Sequence, residues 1–232
     1  MTAPLRGKTA LVTGASRGIG RAVARSLAKA GADVVVTSTR ENGTAELEAE
    51  LRALGRKVVG VRADLSRRED AEALLAKAAE TLGPIDLLVN NAGVLHRAKL
   101  RDTADADWDR VLEVNLTAPF RLARALLPSM LKRGFGRVVN ISSISGTLGT
   151  AGFSAYCASK WGINGWTKAL AQEVGGTGIH VFAVLPGSVD TEMLKATGFP
   201  PQMKPDDVAG VVRYLCAEAP AAMSGSLVEI FG

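Results

Sequence analysis

Along the whole sequence, short β-branched runs alternate with longer Ala-, Leu- and Arg-rich segments of helical period, and this alternation constrains the fold more than any single residue does. Strands are expected near 8–13, 33–37, 57–62, 85–89, 136–141, 179–185 and 226–230. Helices are expected near 18–30, 43–54, 67–82, 105–131, 154–174 and 206–217, and Gly31, Gly55, Gly83, Gly134 and Gly178 sit where they should stop. The class is therefore α/β, a seven-stranded parallel sheet with helices on both faces. Pro119 and Pro128 predict a bend or break in the long fourth helix. Segment 188–205 carries Met193, Phe199, Pro200, Pro201 and Met203 without a clear period, and reads either as a short substrate lid or as a plain surface loop.

A chain of 232 residues with 47% apolar composition suits one domain, 1–232, with a sizeable core. The net charge of +5 comes from scattered residues rather than a clustered basic run, which argues against a nucleic-acid partner. Two cysteines, Cys157 and Cys216, make neither a disulfide framework nor a metal-spaced cluster, so no metal is expected and a reducing cytoplasm fits. No run of 18 apolar residues occurs, so no membrane span is expected.

The stretch Thr13-Gly14-Ala15-Ser16-Arg17-Gly18-Ile19-Gly20 joins the first strand to the first helix. There, unpaired amides and the helix dipole favour a pyrophosphate, and glycines let the backbone approach it. The same letters spell Gly-x-Ser-x-Gly, a nucleophile elbow that would make Ser16 an acyl-enzyme nucleophile. That rival is weaker. Ser16 follows the first strand rather than a central one, and His180 falls inside an expected strand, where it reads as a core or strand-edge residue. His96 is the only other imidazole.

Tyr156 and Lys160 lie four residues apart in a helical run, so they share one face. A fixed ammonium beside a phenol is expected to lower its pKa from near 10, giving a proton donor and acceptor for a carbonyl/alcohol pair. Alone the pair is weak, since a surface pair at this spacing contributes only a few tenths of a kcal/mol.

Taken together, Thr13 to Gly20, Asn90-Asn91-Ala92-Gly93, Tyr156/Lys160 and Pro186-Gly187 resemble the short-chain dehydrogenase/reductase family, compact single-domain branch, over nearly the whole chain. The resemblance implies a Rossmann fold forming a single dinucleotide-binding and catalytic domain. It further implies that Tyr156 acts as general acid in reduction and base in oxidation. Lys160 would tune the phenol and hold the nicotinamide ribose. Ser143, thirteen residues before the Tyr, would orient the substrate oxygen, with Ser142 and Ser145 as near alternatives. Asn115, unfavourable in a helix interior, would anchor a water in a proton relay; a helix bend beside Pro119 is the plainer account.

The cofactor choice rests on charge. An acid ending the second strand would favour NAD by bonding the ribose 2′-hydroxyl. This strand instead runs Val36-Thr37-Ser38-Thr39-Arg40, and Arg17 and Arg40 are placed to pair with a 2′-phosphate, helped by Ser38 or Thr39, so NADP(H) is expected. The plainer reading makes both Arg solvated surface charges. By the resemblance, Gly14, Ser16, Arg17, Gly18, Ile19 and Gly20 hold the phosphates and Asp64 and Leu65 flank adenine. Asn91, Ala92 and Gly93 lie on the adenosine ribose side. Pro186, Gly187, Val189 and Thr191 take the nicotinamide end, Val189 and Thr191 at its carboxamide.

The likeness is greatest to bacterial 3-oxoacyl-acyl-carrier-protein reductases, through the phosphate loop, the stretch 39–43 and Val114-Asn115-Leu116-Thr117. Where those reductases place Arg to grip the carrier protein, this chain has Gly134 and Thr177, with Lys132 and Arg133 as substitutes. A shorter lid and a different C-terminal sequence point to a more open pocket and altered subunit contacts. Leu95, Leu148, Phe153, Met193 and Phe199 are either pocket walls or ordinary packing. Three functions follow as expectations: a reductase of small-molecule carbonyl substrates, a carrier-protein-specific 3-oxoacyl reductase acting on an acyl substrate, and a dinucleotide-binding regulator without turnover. The intact set Asn115, Ser143, Tyr156 and Lys160 argues against the last. A homodimer or homotetramer is expected through the helices at 105–131 and 154–174, with Trp161 and Trp166 at the contact or in the core.

Overall fold

The computed structural model describes residues 3–232. Seven strands form one parallel sheet: β1 (Thr9–Val12), β2 (Asp33–Ser38), β3 (Val58–Arg62), β4 (Leu87–Asn90), β5 (Gly136–Ile141), β6 (Ile179–Pro186) and β7 (Leu227–Ile230). Their order is β3-β2-β1-β4-β5-β6-β7. The strand side chains alternate between two cores, as a pleated sheet covered on both faces requires. Ala10, Val12, Val34 and Val36 face one core, and Leu11 and Val35 face the other.

On the first face pack α1 (Gly18–Lys29), α2 (Ala45–Ala53) and α8 (Pro205–Ala217) through Leu27, Leu47, Leu51 and Val212. On the second lie α3 (Arg68–Leu82), α5 (Ala118–Arg133) and α6 (Ser154–Glu173) through Leu74, Leu122 and Leu170. α4 (Asp105–Leu112) precedes α5, and α7 (Glu192–Lys195) is a single turn within the expected lid. Strand order turns outward in both directions from the β1–β4 pair. The chain therefore opens a crevice at the carboxyl ends of those strands, where open α/β sheets bind ligands.

The expected bend in the long helix has a specific form. Residues Glu113–Thr117 make one turn of π-helix between α4 and α5, and Pro119, which has no N–H for the ladder, follows at once in the first turn of α5. The inserted residue turns Asn115 inward, where it is 1% exposed. Pro128 is accommodated inside α5, which runs on to Gly134 in the left-handed region at φ +63°. Gly178 does not stop a helix: α6 already ends at Glu173. Gly178 instead turns the chain into β6 at φ +82°, where a Cβ would collide with the carbonyl of Gly134.

Candidate active site

Hydrogen bonds from the β4 loop hold the β1 loop in shape. Thr13 Oγ1 accepts from the amides of Asn91 and Ala92, each at 3.0 Å, while Asn91 Nδ2 donates to the carbonyls of Thr13 at 2.9 Å and Gly14 at 3.1 Å. The amide of Gly14 donates to Thr37 Oγ1 at 3.0 Å. Gly14 sits at φ +64°, and a Cβ there would lie 2.9 Å from Ala92 Cα, so the two loops approach only because that atom is missing. α1 then begins at Gly18 with no side chain capping its amides and no acid in its first turn. Its N-terminal donors remain available to an anion.

A cleft of about 1050 Å³ runs along this crevice. Gly14, Ser16, Arg17, Gly18 and Ile19 form its phosphate side, and Ser38, Thr39, Asp64 and Leu65 close one end. Asn91, Ala92 and Gly93 form the floor, and Tyr156, Lys160 and Thr191 stand at the other end. The glycine cradle, the uncapped helix and the cleft's length fit a dinucleotide. Two expected wall residues are elsewhere: Arg40 is an exposed side chain off the wall, and Gly20 is buried behind it, where a Cβ would collide with Gly14 O. Arg40 is displaced because the backbone turns away after Ser38, whose hydroxyl accepts from the Arg40 amide at 3.0 Å. The wall also includes Arg110 of α4, which no local motif marks. Ser66 hydrogen bonding holds the Asp64 carboxyl below its ordinary range, with further help from Arg110 and Arg67.

A second cavity of about 270 Å³ adjoins the first, and Ser143, Pro186, Gly187 and Val189 lie on it. Tyr156 lines both cavities. Of the five apolar candidates, Leu95, Phe153, Met193 and Phe199 line this pocket, whereas Leu148 is 55% exposed and lies off its wall.

Lys160 donates from Nζ to the carbonyl of Ile141 at 2.8 Å and stands 5.5 Å from the Tyr156 ring centroid. Burial draws its ammonium down to about 8. The expected lowering of the phenol is reversed in this geometry. Tyr156 presents an edge to the cleft, but burial around its hydroxyl pushes the pKa up to about 12, and the Ser143 hydroxyl opposes this as a hydrogen-bond partner. The ammonium is committed to Ile141, and desolvation outweighs charge. Ser142 and Ser145 also line this pocket, but the Ser142 hydroxyl donates to the Lys160 carbonyl at 3.4 Å and the Ser145 amide donates to Ser143 Oγ at 3.1 Å.

Asn115 clamps the β4 loop. Its Nδ2 donates to Val94 O at 2.9 Å and its Oδ1 accepts from Val94 N at 2.8 Å. The same Nδ2 reaches Ser159 Oγ at 3.1 Å, and Ser159 donates to the carbonyl of Tyr156 at 2.7 Å. Sequence reasoning gave no role to Ser159, although it stands between the two marked residues, and named Thr13 in the loop motif without its hydroxyl role, which needs a loop 78 residues away.

The nucleophile-elbow reading fails on geometry. Ser16 lines the cleft, but neither histidine lines either cavity. His180 lies in β6 opposite Arg137 of β5, and burial, together with that Arg, lowers its pKa. His96 Nδ1 sits 3.7 Å from Asp107. Among the described residues, no group of three or more His, Cys, Asp or Glu is placed to hold a metal, and no helix is long and apolar enough to cross a membrane.

The family model for short chain dehydrogenases matches residues 8–199. The chain belongs to the short-chain dehydrogenase/reductase family. It is 38% identical to a 3-oxoacyl-acyl-carrier-protein reductase of Vibrio cholerae, over 98% of this chain and 97% of that one. A 3-oxoacyl-acyl-carrier-protein reductase of Escherichia coli is 40% identical over 97% of this chain and 86% of its own. Among solved structures, a candidate NAD(P)-dependent gluconate 5-dehydrogenase from Beutenbergia cavernae, with NADP bound at low occupancy, superposes with a TM-score of 0.91. It is 35% identical and the match covers 99% of this chain and 97% of that one. As a short-chain dehydrogenase/reductase, the chain is an oxidoreductase of a family that binds a nicotinamide dinucleotide. Gly134 is the helix cap of α5, and Arg133 is tied to Ile85 O at 2.7 Å and Asp86 at 3.4 Å. Lys132 is exposed.

Proposed function

We propose that this protein is an NADP(H)-dependent oxidoreductase of carbonyl/alcohol pairs, with Tyr156 as the proton donor and acceptor. The observation that carries the reading is the place of Tyr156 at the junction of the dinucleotide-shaped cleft and the smaller pocket. The bound nicotinamide supplies or takes up the hydride. Tyr156 gives its proton to the substrate oxygen in reduction and recovers it in oxidation. Ser143 orients that oxygen and stabilises charge developing on it. Lys160 holds the ribose and lies within reach of the phenol, while Asn115 and Ser159 fix the backbone on which the relay is built.

The preference for NADP(H) is supported by Arg17, Ser38 and Thr39 on the cleft wall and by the absence of an acid after β2 until Glu41. The NADP bound to the Beutenbergia cavernae protein supports it by likeness. Segment 188–205, which carries Val189, Thr191 and Met193 onto the pocket, acts as the substrate lid. We infer assembly as a homodimer or homotetramer from Phe120 on α5 and Trp161 on α6, 39% and 54% exposed; Trp166 packs instead against the core.

A second reading, reduction of 3-oxoacyl groups on a carrier protein, is favoured by the Vibrio cholerae and Escherichia coli relatives. Gly134 in place of a gripping Arg weighs against it. Absorbance at the reduced-nicotinamide band during incubation with ketones, with free acyl thioesters and with carrier-bound acyl thioesters tests both. Turnover of the ketones supports the first reading; turnover confined to the carrier-bound thioester replaces it with the second.

A further inference from the structure

The wall of the 270 Å³ pocket carries no Asp, Glu, Lys, Arg or His. Hydroxyls of Ser143 and Tyr156 mark the reacting end and neutral hydroxyls of Ser142, Ser145, Thr150, Ser188, Thr191 and Thr197 add to the wall, while Phe153, Met193 and Phe199 supply its large apolar side chains. The charges nearest in sequence are directed elsewhere. Glu192 and Lys195 pair with each other at 2.9 Å and line the larger cleft, as does Asp190. Arg97 donates to the carbonyl of Thr197 at 3.1 Å and lies over the outer side of the Phe153 ring, 5.5 Å from its centroid, without reaching the pocket wall. An anionic substrate held against Tyr156 would therefore enter a partly dehydrated site with no counter-charge on its wall, the nearby Lys160 ammonium, 5.5 Å from the Tyr156 ring centroid, being bonded to the Ile141 carbonyl. A neutral apolar arm would instead gain roughly fourfold in affinity for each methylene it buries.

We infer, resting on the assignment of Tyr156 as the proton donor, that this pocket selects neutral carbonyl compounds with an apolar arm and rejects carboxylates such as keto sugar acids, with Phe153, Met193 and Phe199 as the specificity-determining walls. The size agrees: a pocket of about 270 Å³ accommodates a small ester or ketone, and its open side leaves the length of the arm unselected. In reduction the carbonyl carbon gains the hydride, its oxygen gains the Tyr156 proton, and the product leaves as a neutral alcohol beside oxidised cofactor.

Ethyl 3-oxobutanoate and 3-oxobutanoate differ in charge while sharing the reacting ketone, and 5-ketogluconate adds a polyhydroxylated acid. Steady-state rates with both NADPH and NADH, and calorimetric affinity of each compound for the enzyme with oxidised cofactor, read the pocket. The ester should exceed both acids by roughly 100-fold in kcat/KM and in affinity, the loss expected for an unpaired buried charge. Equal or inverted affinities overturn the inference. If the cofactor binds and no compound turns over, the proton-donor assignment fails, and the affinity order still decides what the pocket accepts. Phe199→Arg and, separately, Met193→Arg place a cation on a partly exposed wall, at side chains 52% and 39% exposed in the native protein. Each should move the acid-to-ester ratio at least tenfold toward the acid; a ratio unchanged in both overturns the wall assignment.

Discussion

The cofactor cleft and the substrate pocket meet at Tyr156 but are built by opposite means. The cleft is shaped by a backbone pinned at fixed points: two backbone amides donate to the Thr13 hydroxyl, the Asn91 side-chain amide bridges two backbone carbonyls, and glycines stand where no Cβ fits. The pocket is walled on its outer side by side chains of a segment whose two ends are anchored by Val189 and Met203, which bridge each other and pack into the core, with further hydrogen bonds including Arg97 to Thr197. Backbone construction suits a ligand shared across a family. Side-chain construction leaves substrate choice open to change by substitution.

Six substitutions sharpen or break that contrast. The largest effect is expected at the proton donor, one of the residues lining both cavities: Tyr156→Phe should lower kcat by 10²–10⁴-fold while leaving the cofactor dissociation constant within about twofold. Near-normal turnover would sink the proton-donor role. Next comes the cleft itself, where Gly14→Ala puts a Cβ against Ala92 Cα at positive φ. It should cost about 1–3 kcal/mol in denaturant unfolding and weaken cofactor binding at least tenfold. If Met193→Ala on the pocket side destabilised the fold as much, the distinction between the two walls would collapse.

The buried ammonium gives a pH signature of similar size. Its pKa is about 8 in the folded protein against an ordinary value of 10.5, so the unfolded chain binds more protons between those limits and stability rises with pH there. Relative to Lys160→Met, the unliganded protein should gain roughly 2–3 kcal/mol of unfolding free energy between pH 7.5 and 10. The window stops at 10 because Tyr156, raised to about 12, begins to lose stability above its ordinary 10.0. A difference that stays flat across this range contradicts the buried, uncompensated ammonium. The smallest effect is cofactor discrimination: Arg17→Ala should reduce the NADPH-over-NADH ratio of kcat/KM by about 10-fold, and Arg40→Ala by less than threefold. Reversal of that order would restore Arg40 as the phosphate partner.

Much of the fold was legible because the signals are local. Seven strands appear within about two residues of their expected positions, since β-branched runs and helical periods are properties of neighbouring residues. The misses are also physical. Gly178 resembles a helix stop from its spacing, but its conformation is demanded by Gly134 across the β5–β6 edge. Arg40 has the right charge at the right sequence distance, and the backbone turn at Ser38 leaves its exposed side chain off the cleft wall that Ser38 and Thr39 line. The direction of the Tyr156 shift was misread because spacing shows a nearby ammonium, whereas burial and the Ile141 carbonyl decide what that ammonium does.

The sequence by itself determined the alternating sheet, the glycine loop after β1 and the helix face shared by Tyr156 and Lys160, because each depends on residues a few positions apart. Tertiary structure alone decided that Tyr156 stands between two cavities and that Asn115 reaches it through Ser159. It also brought Arg110 to the cleft and, among the described residues, left no charged side chain on the wall of the substrate pocket. Those outcomes join segments from β1 to α7, and no local pattern encodes which side chains the packed sheet brings face to face.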